Sequence, residues 1–230
     1  MIKGLIFDKD GTLFDFNATW GAWAGRMIAG ETAGNPAKTT ALANAMGYDM
    51  ENQRFRPASV VIAATVEETA SAMLTVLTDE THDTLIPRMN AAASAVEQVQ
   101  AVPLIPFFDD LRARGLALGI ATNDAEAPAL ANLTSAGVHD HFHFIAGYDS
   151  GHGAKPGTGQ LDAFCRETGL APHHCAMIGD STHDLQAGRA AGMTTIGVLT
   201  GPAPSAELAP LADVVLPDIG HIPAWLDARS

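Results

Sequence analysis

Near its start the chain carries an apolar run, Leu5-Ile6-Phe7, that stops at Asp8-Lys9-Asp10-Gly11-Thr12-Leu13. An apolar run without alternation suits a strand buried on both faces, as in parallel sheets covered by helices. In open α/β sheets, ligands bind beyond the carboxyl ends of the strands. Asp8 and Asp10 therefore stand where chemistry is expected. The turn breaks the two-residue period, so both acids can face one pocket. Close carboxylates repel unless a cation or a shared proton intervenes, and the pair points to a divalent metal. Helix capping is the competing reading, because aspartate oxygens also accept from the free N–H groups of a helix start.

The later chain supplies the rest of a sheet. Residues 116–121, 142–146, 176–178, 194–199 and 213–216 read as strands. Helical patterns over 107–114, 128–136, 160–168 and 185–191 alternate with them. Gly115, Gly137 and Gly192 follow three of these helices and suit the left-handed residue that closes a helix. The alternation predicts an α/β fold, a doubly wound parallel sheet with helices on both faces.

Residues 15–101 interrupt that pattern. Phe16, Trp20, Trp23 and Met27 fall at helical spacing, and 39–46 reads as a short helix before Gly47. Longer helical stretches are read over 58–77 and 85–99, and no convincing strand is read there. The expected organisation is a core of residues 1–14 and 102–230, with a helical second lobe, 15–101, near the first loop.

Four strand ends then carry polar residues: Asp8 and Asp10, Thr122 and Asn123, Lys155 in a glycine-rich loop, and Asp180 with Asp184. At one edge of a parallel sheet they form a shared surface. A carboxylate nucleophile there can form an aspartyl-phosphate, and magnesium can screen both nucleophile and phosphoryl oxygens. Oxygen ligands from Asp8, Asp180 and the backbone near Asp10 suit that ion. Asp10 can protonate a leaving alcohol and then deprotonate water. Gly11, Thr12, Thr122, Asn123 and Lys155 can bind phosphoryl oxygens. Asp184, four residues after Asp180, is expected to face the metal from behind its direct ligands.

The motif set resembles the haloacid dehalogenase superfamily: Asp8-x-Asp10-Gly11-Thr12-Leu13, Thr122-Asn123, Lys155-Pro156 and Gly179-Asp180-Ser181-Thr182-His183-Asp184, in the family's order. The resemblance implies a Rossmann-like core, a mobile helical cap inserted after the first motif, and Mg²⁺-dependent phosphomonoester hydrolysis. It implies Asp8 as nucleophile, Asp10 as acid/base, and Asp8, Asp180 and the Asp10 carbonyl as metal ligands. Asp10 favours phosphatase or phosphomutase chemistry over dehalogenation. Within the family the chain looks most similar to the phosphoglycolate-phosphatase-like group, with phosphoglycolate or a sugar phosphate as substrate. The alternatives are a sugar phosphomutase of the β-phosphoglucomutase type and, from another class, a receiver-like phospho-acceptor module. A receiver would not need a helical lobe after its first strand.

Composition sets the remaining bounds. With 230 residues, 47% of them hydrophobic, the chain can bury a full core. A net charge of −13 with no basic run argues against a nucleic-acid partner. An anionic small metabolite needs a bound cation and a few placed positive groups. Cys165 and Cys175 suggest no disulfide framework, and Cys165 reads as core. No cleavage-like signal and no apolar segment of bilayer-spanning length is read, so a soluble, cytoplasmic protein is expected without a membrane partner. In the inserted lobe, Arg54 and Arg56 are the best candidates for a second anionic group of the substrate, with solvated faces as the competing reading. Trp20 and Trp23 are expected to pack inside the lobe or over the core, and His183 to lie in an exposed loop.

Overall fold

A computed structural model describes residues 1–56, 59–62 and 64–229. In chain order the strands are β1 (Gly4–Phe7), β2 (Tyr48–Asp49), β3 (Arg54–Phe55), β4 (Ala117–Ala121), β5 (Phe144–Ala146), β6 (Cys175–Gly179), β7 (Thr194–Val198) and β8 (Val214–Leu216). The helices are α1 (Phe16–Thr32), α2 (Pro36–Ala45), α3 (Val66–Leu74), α4 (His82–Ser94), α5 (Leu104–Ala113), α6 (Glu126–Ser135), α7 (Gly159–Thr168), α8 (Thr182–Ala191), α9 (Ser205–Leu208) and α10 (Ile222–Asp227). Six strands form one parallel sheet in the order β5-β4-β1-β6-β7-β8.

β1 lies inside the sheet and is buried along its whole length, which is why it carries an apolar run without alternation. Its side chains split between the two faces. Leu5 and Phe7 join the cluster under α5 with Leu118, Ile120 and Ile178. Ile6 joins the opposite cluster with Phe164 and Met177. Helices therefore cover both faces, as the alternation predicts.

The segment between β1 and α5 builds its own apolar cluster, around Trp20, Trp23, Ile28, Leu42, Met73, Leu85 and Met89. Its helices start at side-chain caps. The Asp15 carboxylate accepts from Ala18 N–H at 2.8 Å, and Thr65 and Glu68 form a capping box on α3. Two strands of chain join this lobe to the sheet domain side by side: Asp15 N–H donates to Val99 C=O at 2.8 Å, and Ala101 N–H to Leu13 C=O at 2.9 Å.

Three sequence expectations need correction. The lobe is not wholly helical, because β2 and β3 pair as a short antiparallel hairpin. Two residues per strand are too few to show a period. α3 begins at Val66, where its capping box sits, rather than near residue 58; Ala58 itself lies outside the described residues. α4 starts at His82, three residues early, and ends at Ser94. α9 and α10, near the end of the chain, are too short for helical periodicity to reveal.

Candidate active site

The sheet register delivers the motifs to one edge. Phe7 lies opposite both Ile120 and Ile178, so the residues after β1, β4 and β6 emerge at one level. The ladder continues into the site: Asp8 N–H donates to Ile178 C=O at 2.8 Å, and Thr122 N–H to Ala146 C=O at 3.0 Å. Asp8, Asp10, Thr122, Asn123, Lys155, Asp180 and Asp184 all line a cavity of about 870 Å³, counting its open mouth.

Lys155 arrives from the loop after β5 and is held by Asn123. The Asn123 Oδ1 accepts from Lys155 N–H at 2.9 Å, and its Nδ2 donates to Lys155 C=O at 3.0 Å. The ammonium then lies 2.6 Å from both Asp8 Oδ1 and Asp184 Oδ1. The other Asp184 oxygen accepts from the N–H and hydroxyl of Ser181 at the start of α8, at 3.0 and 2.7 Å. Asp184 thus caps a helix and aims Lys155 with the same carboxylate.

The charge balance of this cluster invites a cation. Asp8, Asp180 and Asp184 are buried, and oxygens from all three lie within 4.8 Å of one another. One ammonium cannot neutralise three carboxylates. Burial, with the neighbouring Asp8 and Asp184 charges, pushes the Asp180 carboxyl well above the ordinary aspartate range. Burial likewise raises Asp8 to about 7; Lys155 opposes the rise, while Asp184 and Asp10 add to it. Lys155 stays charged because Asp184 and Asp8 outweigh the effect of its burial. Hard oxygen donors with excess negative charge fit Mg²⁺. The backbone is pressed close around Asp180: a Cβ on Gly11, which has φ +81°, or on Gly201 would overlap its carboxylate. The Thr12 hydroxyl approaches Asp180 Oδ1 at 3.4 Å.

Asp10 is held from two sides. The Trp20 indole N–H donates to its Oδ1 at 2.7 Å, and Lys9 Nζ lies 2.6 Å from its Oδ2. In sequence, Lys9 is simply the residue between two acids. Its side chain is wholly buried, with Asp124 Oδ2 at 3.3 Å and Asn132 Oδ1 at 3.2 Å. Asp10 and Asp124 hold it charged against the cost of burial. No local signal distinguishes it from a solvated lysine, because its partner Asn132 lies 123 residues away.

The remaining candidates divide. The Thr122 hydroxyl accepts from Asp124 N–H at 3.0 Å while the residue lines the cavity, so it serves the turn and faces the site. Arg54 and Arg56 do not line the cavity. They flank Phe55, and the alternation of an extended segment turns Phe55 inward and both arginines to solvent. His183 is half-buried on the first turn of α8 and lines the cavity, a correction to the exposed loop expected. Trp20 and Trp23 pack edge to face at 5.2 Å, and both line the cavity.

Comparison with known proteins agrees with this geometry. Residues 5–198 match the family model described as haloacid dehalogenase-like hydrolase. The chain belongs to that family. It is 37% identical over 112 residues to a phosphoglycolate phosphatase of Chromobacterium violaceum, covering 49% of this chain and 50% of that protein. It is 34% identical over 118 residues to the phosphoglycolate phosphatase of Rhodospirillum rubrum, covering 50% and 48%. The chain thus spans about half the length of these curated relatives. A crystal structure of a predicted phosphoglycolate phosphatase from Haemophilus somnus superposes with a TM-score of 0.73 at 19% identity, covering 98% of each chain. At that identity the likeness is one of fold.

Proposed function

We propose that the chain is a Mg²⁺-dependent phosphatase that hydrolyses a small phosphomonoester through an aspartyl-phosphate at Asp8. The observation that carries this reading is the placement of Lys155 Nζ 2.6 Å from Asp8 beside the buried Asp180 and Asp184 carboxylates. Asp8, Asp180 and the Asp10 backbone carbonyl would hold the ion, with Asp184 supporting from behind. When bound, Mg²⁺ would screen the negative charge shared by the nucleophile and the phosphoryl oxygens.

The chain's own residues carry the steps. The Asp8 carboxylate attacks phosphorus, the P–O ester bond breaks, and the leaving oxygen takes a proton from the Asp10 carboxyl. Asp10, now ionised, takes a proton from water as that water attacks the phosphoryl group on Asp8, which releases phosphate and restores both acids. Lys155 and the Thr122 hydroxyl bind phosphoryl oxygens, and Asn123 keeps Lys155 in place. Gly11 and Thr12 close the turn against Asp180.

Residues 15–101 act as a cap that excludes bulk water and selects the substrate, swinging on the paired connections at Asp15 and Val99 and at Leu13 and Ala101. Contacts from Trp20 to Asp10 and from Glu67 to Tyr148 support a closed arrangement. The names of the relatives point to phosphoglycolate, which the cap lining does not favour. Phosphate release from a panel of monoesters, with Mg²⁺ and with chelator, tests the reading. Metal-dependent release that Asp8→Asn abolishes is expected; turnover by Asp8→Asn near the wild-type rate would refute the mechanism.

A further inference from the structure

The cavity has two unlike ends. Its floor is the acid and lysine cluster. On the lobe side, the described lining residues are apolar apart from Thr69 and Asn90, and include Phe16, Trp23, Phe55, Ile62 and Met89. The lobe's cationic residues are Arg26, Lys38, Arg54, Arg56 and Arg88. All five are exposed, and none lines the cavity. Arg88 is already engaged by Glu31 and Glu80. The residues outside the description, Pro57, Ala58, Ala63 and Ser230, bring no charged side chain.

We propose that this lining selects a phosphomonoester with an apolar, arylalkyl-type leaving group carrying one or two polar atoms, rather than a carboxylate or a polyol. The inference rests on the phosphatase reading above and narrows its substrate. A leaving-group carboxylate would be desolvated against hydrocarbon, with no lobe cation to meet it and five aspartates among the residues that line the cavity. A sugar would bury several hydroxyls against Thr69 and Asn90 alone. An aromatic or branched hydrocarbon instead gains from leaving water and meets aromatic faces.

Two orphaned polar atoms refine the match. Asn90 Oδ1 and Trp23 Nε1 are both buried without a hydrogen-bond partner, and both residues line the cavity. Buried groups of this kind ordinarily find a partner. One donor and one acceptor on an otherwise apolar leaving group would satisfy them.

The test compares three esters of primary alcohols, so that intrinsic leaving-group reactivity differs little: 2-phenylethyl phosphate, 2-phosphoglycolate and glucose 6-phosphate, each with Mg²⁺. The expected result is a kcat/KM for 2-phenylethyl phosphate at least about tenfold above either polar ester, the scale on which apolar pockets discriminate. Equal or faster turnover of a polar ester overturns this inference and leaves the phosphatase reading standing. Failure of all three esters would instead overturn the phosphatase reading. Calorimetric titration of the Mg²⁺-loaded protein would then decide the lining's preference. Tighter binding of 2-phenylethylphosphonate than of phosphonoacetate supports it, and the reverse or equality overturns it.

Discussion

Trp20 belongs to the helical lobe and Asp10 to the sheet edge, yet the indole N–H of one donates to the carboxylate of the other at 2.7 Å. The acid/base of the proposed reaction is thereby oriented by the element that would close over substrate. Trp20→Phe keeps the aromatic packing on Trp23 and deletes that donor. The expected outcome is a fall in kcat of about tenfold, less than the roughly 10²–10⁴-fold a general acid–base group itself contributes because Asp10 is retained, with thermal stability little changed. Steady-state kinetics beside a melting curve separates this from simple unfolding.

Lys9 is wholly buried between Asp10 and Asp124. Lys9→Met removes the cation and leaves both acids without it, and breaking a buried pair from one side costs about 3–5 kcal/mol. A drop of that order in urea unfolding is expected, larger than for any exposed lysine. Lys9→Arg should restore part of it. A loss below about 1 kcal/mol would show the pair to be dispensable.

Lys155→Met should cost activity and stability together, because Asp8, Asp180 and Asp184 would then share a buried site with no ammonium. Activity is expected to fall by two orders of magnitude or more, in line with loss of a group that stabilises developing charge. Added Mg²⁺ should raise the melting temperature more in this variant than in the wild type, since only there would the ion be the sole compensating cation. Differential scanning with and without Mg²⁺ checks it.

The raised Asp8 carboxyl carries a sign that can be read in solution. Unfolded, an aspartate ionises near pH 4; in the folded chain burial holds Asp8 protonated up to about 7. The folded state therefore binds the extra proton between those values, and stability falls as pH rises through the window. Asp8→Asn removes that dependence. In chelator, the variant should gain on the wild type from pH 4 to 7 and level off above, and Mg²⁺ should shrink the gap. Parallel unfolding curves at every pH would contradict the assignment.

Much of the site was legible because its signals are local. Asp8 follows an unbroken apolar strand, and Asp180 and Asp184 bracket a helix start that Ser181 caps. What escaped was set by long-range packing. Burial of Lys9 depends on Asn132, and the orientation of Asp10 depends on an indole from another lobe. In sequence, Arg54 and Arg56 are candidates for a second anionic group that a solvated face also explains, and both stand exposed in the structure. Recognising a strand there would have assigned the inward place to Phe55. A two-residue strand offers too little alternation for that.

The most direct measurement is to quench a single turnover of a phosphomonoester in acid and map the phosphoryl group by peptide mass spectrometry. The expected adduct lies on the peptide containing Asp8, is cleaved by hydroxylamine as an acyl phosphate must be, and is missing from Asp8→Asn. A phosphoryl group on any other residue, or full turnover by Asp8→Asn, would contradict nucleophilic attack by Asp8.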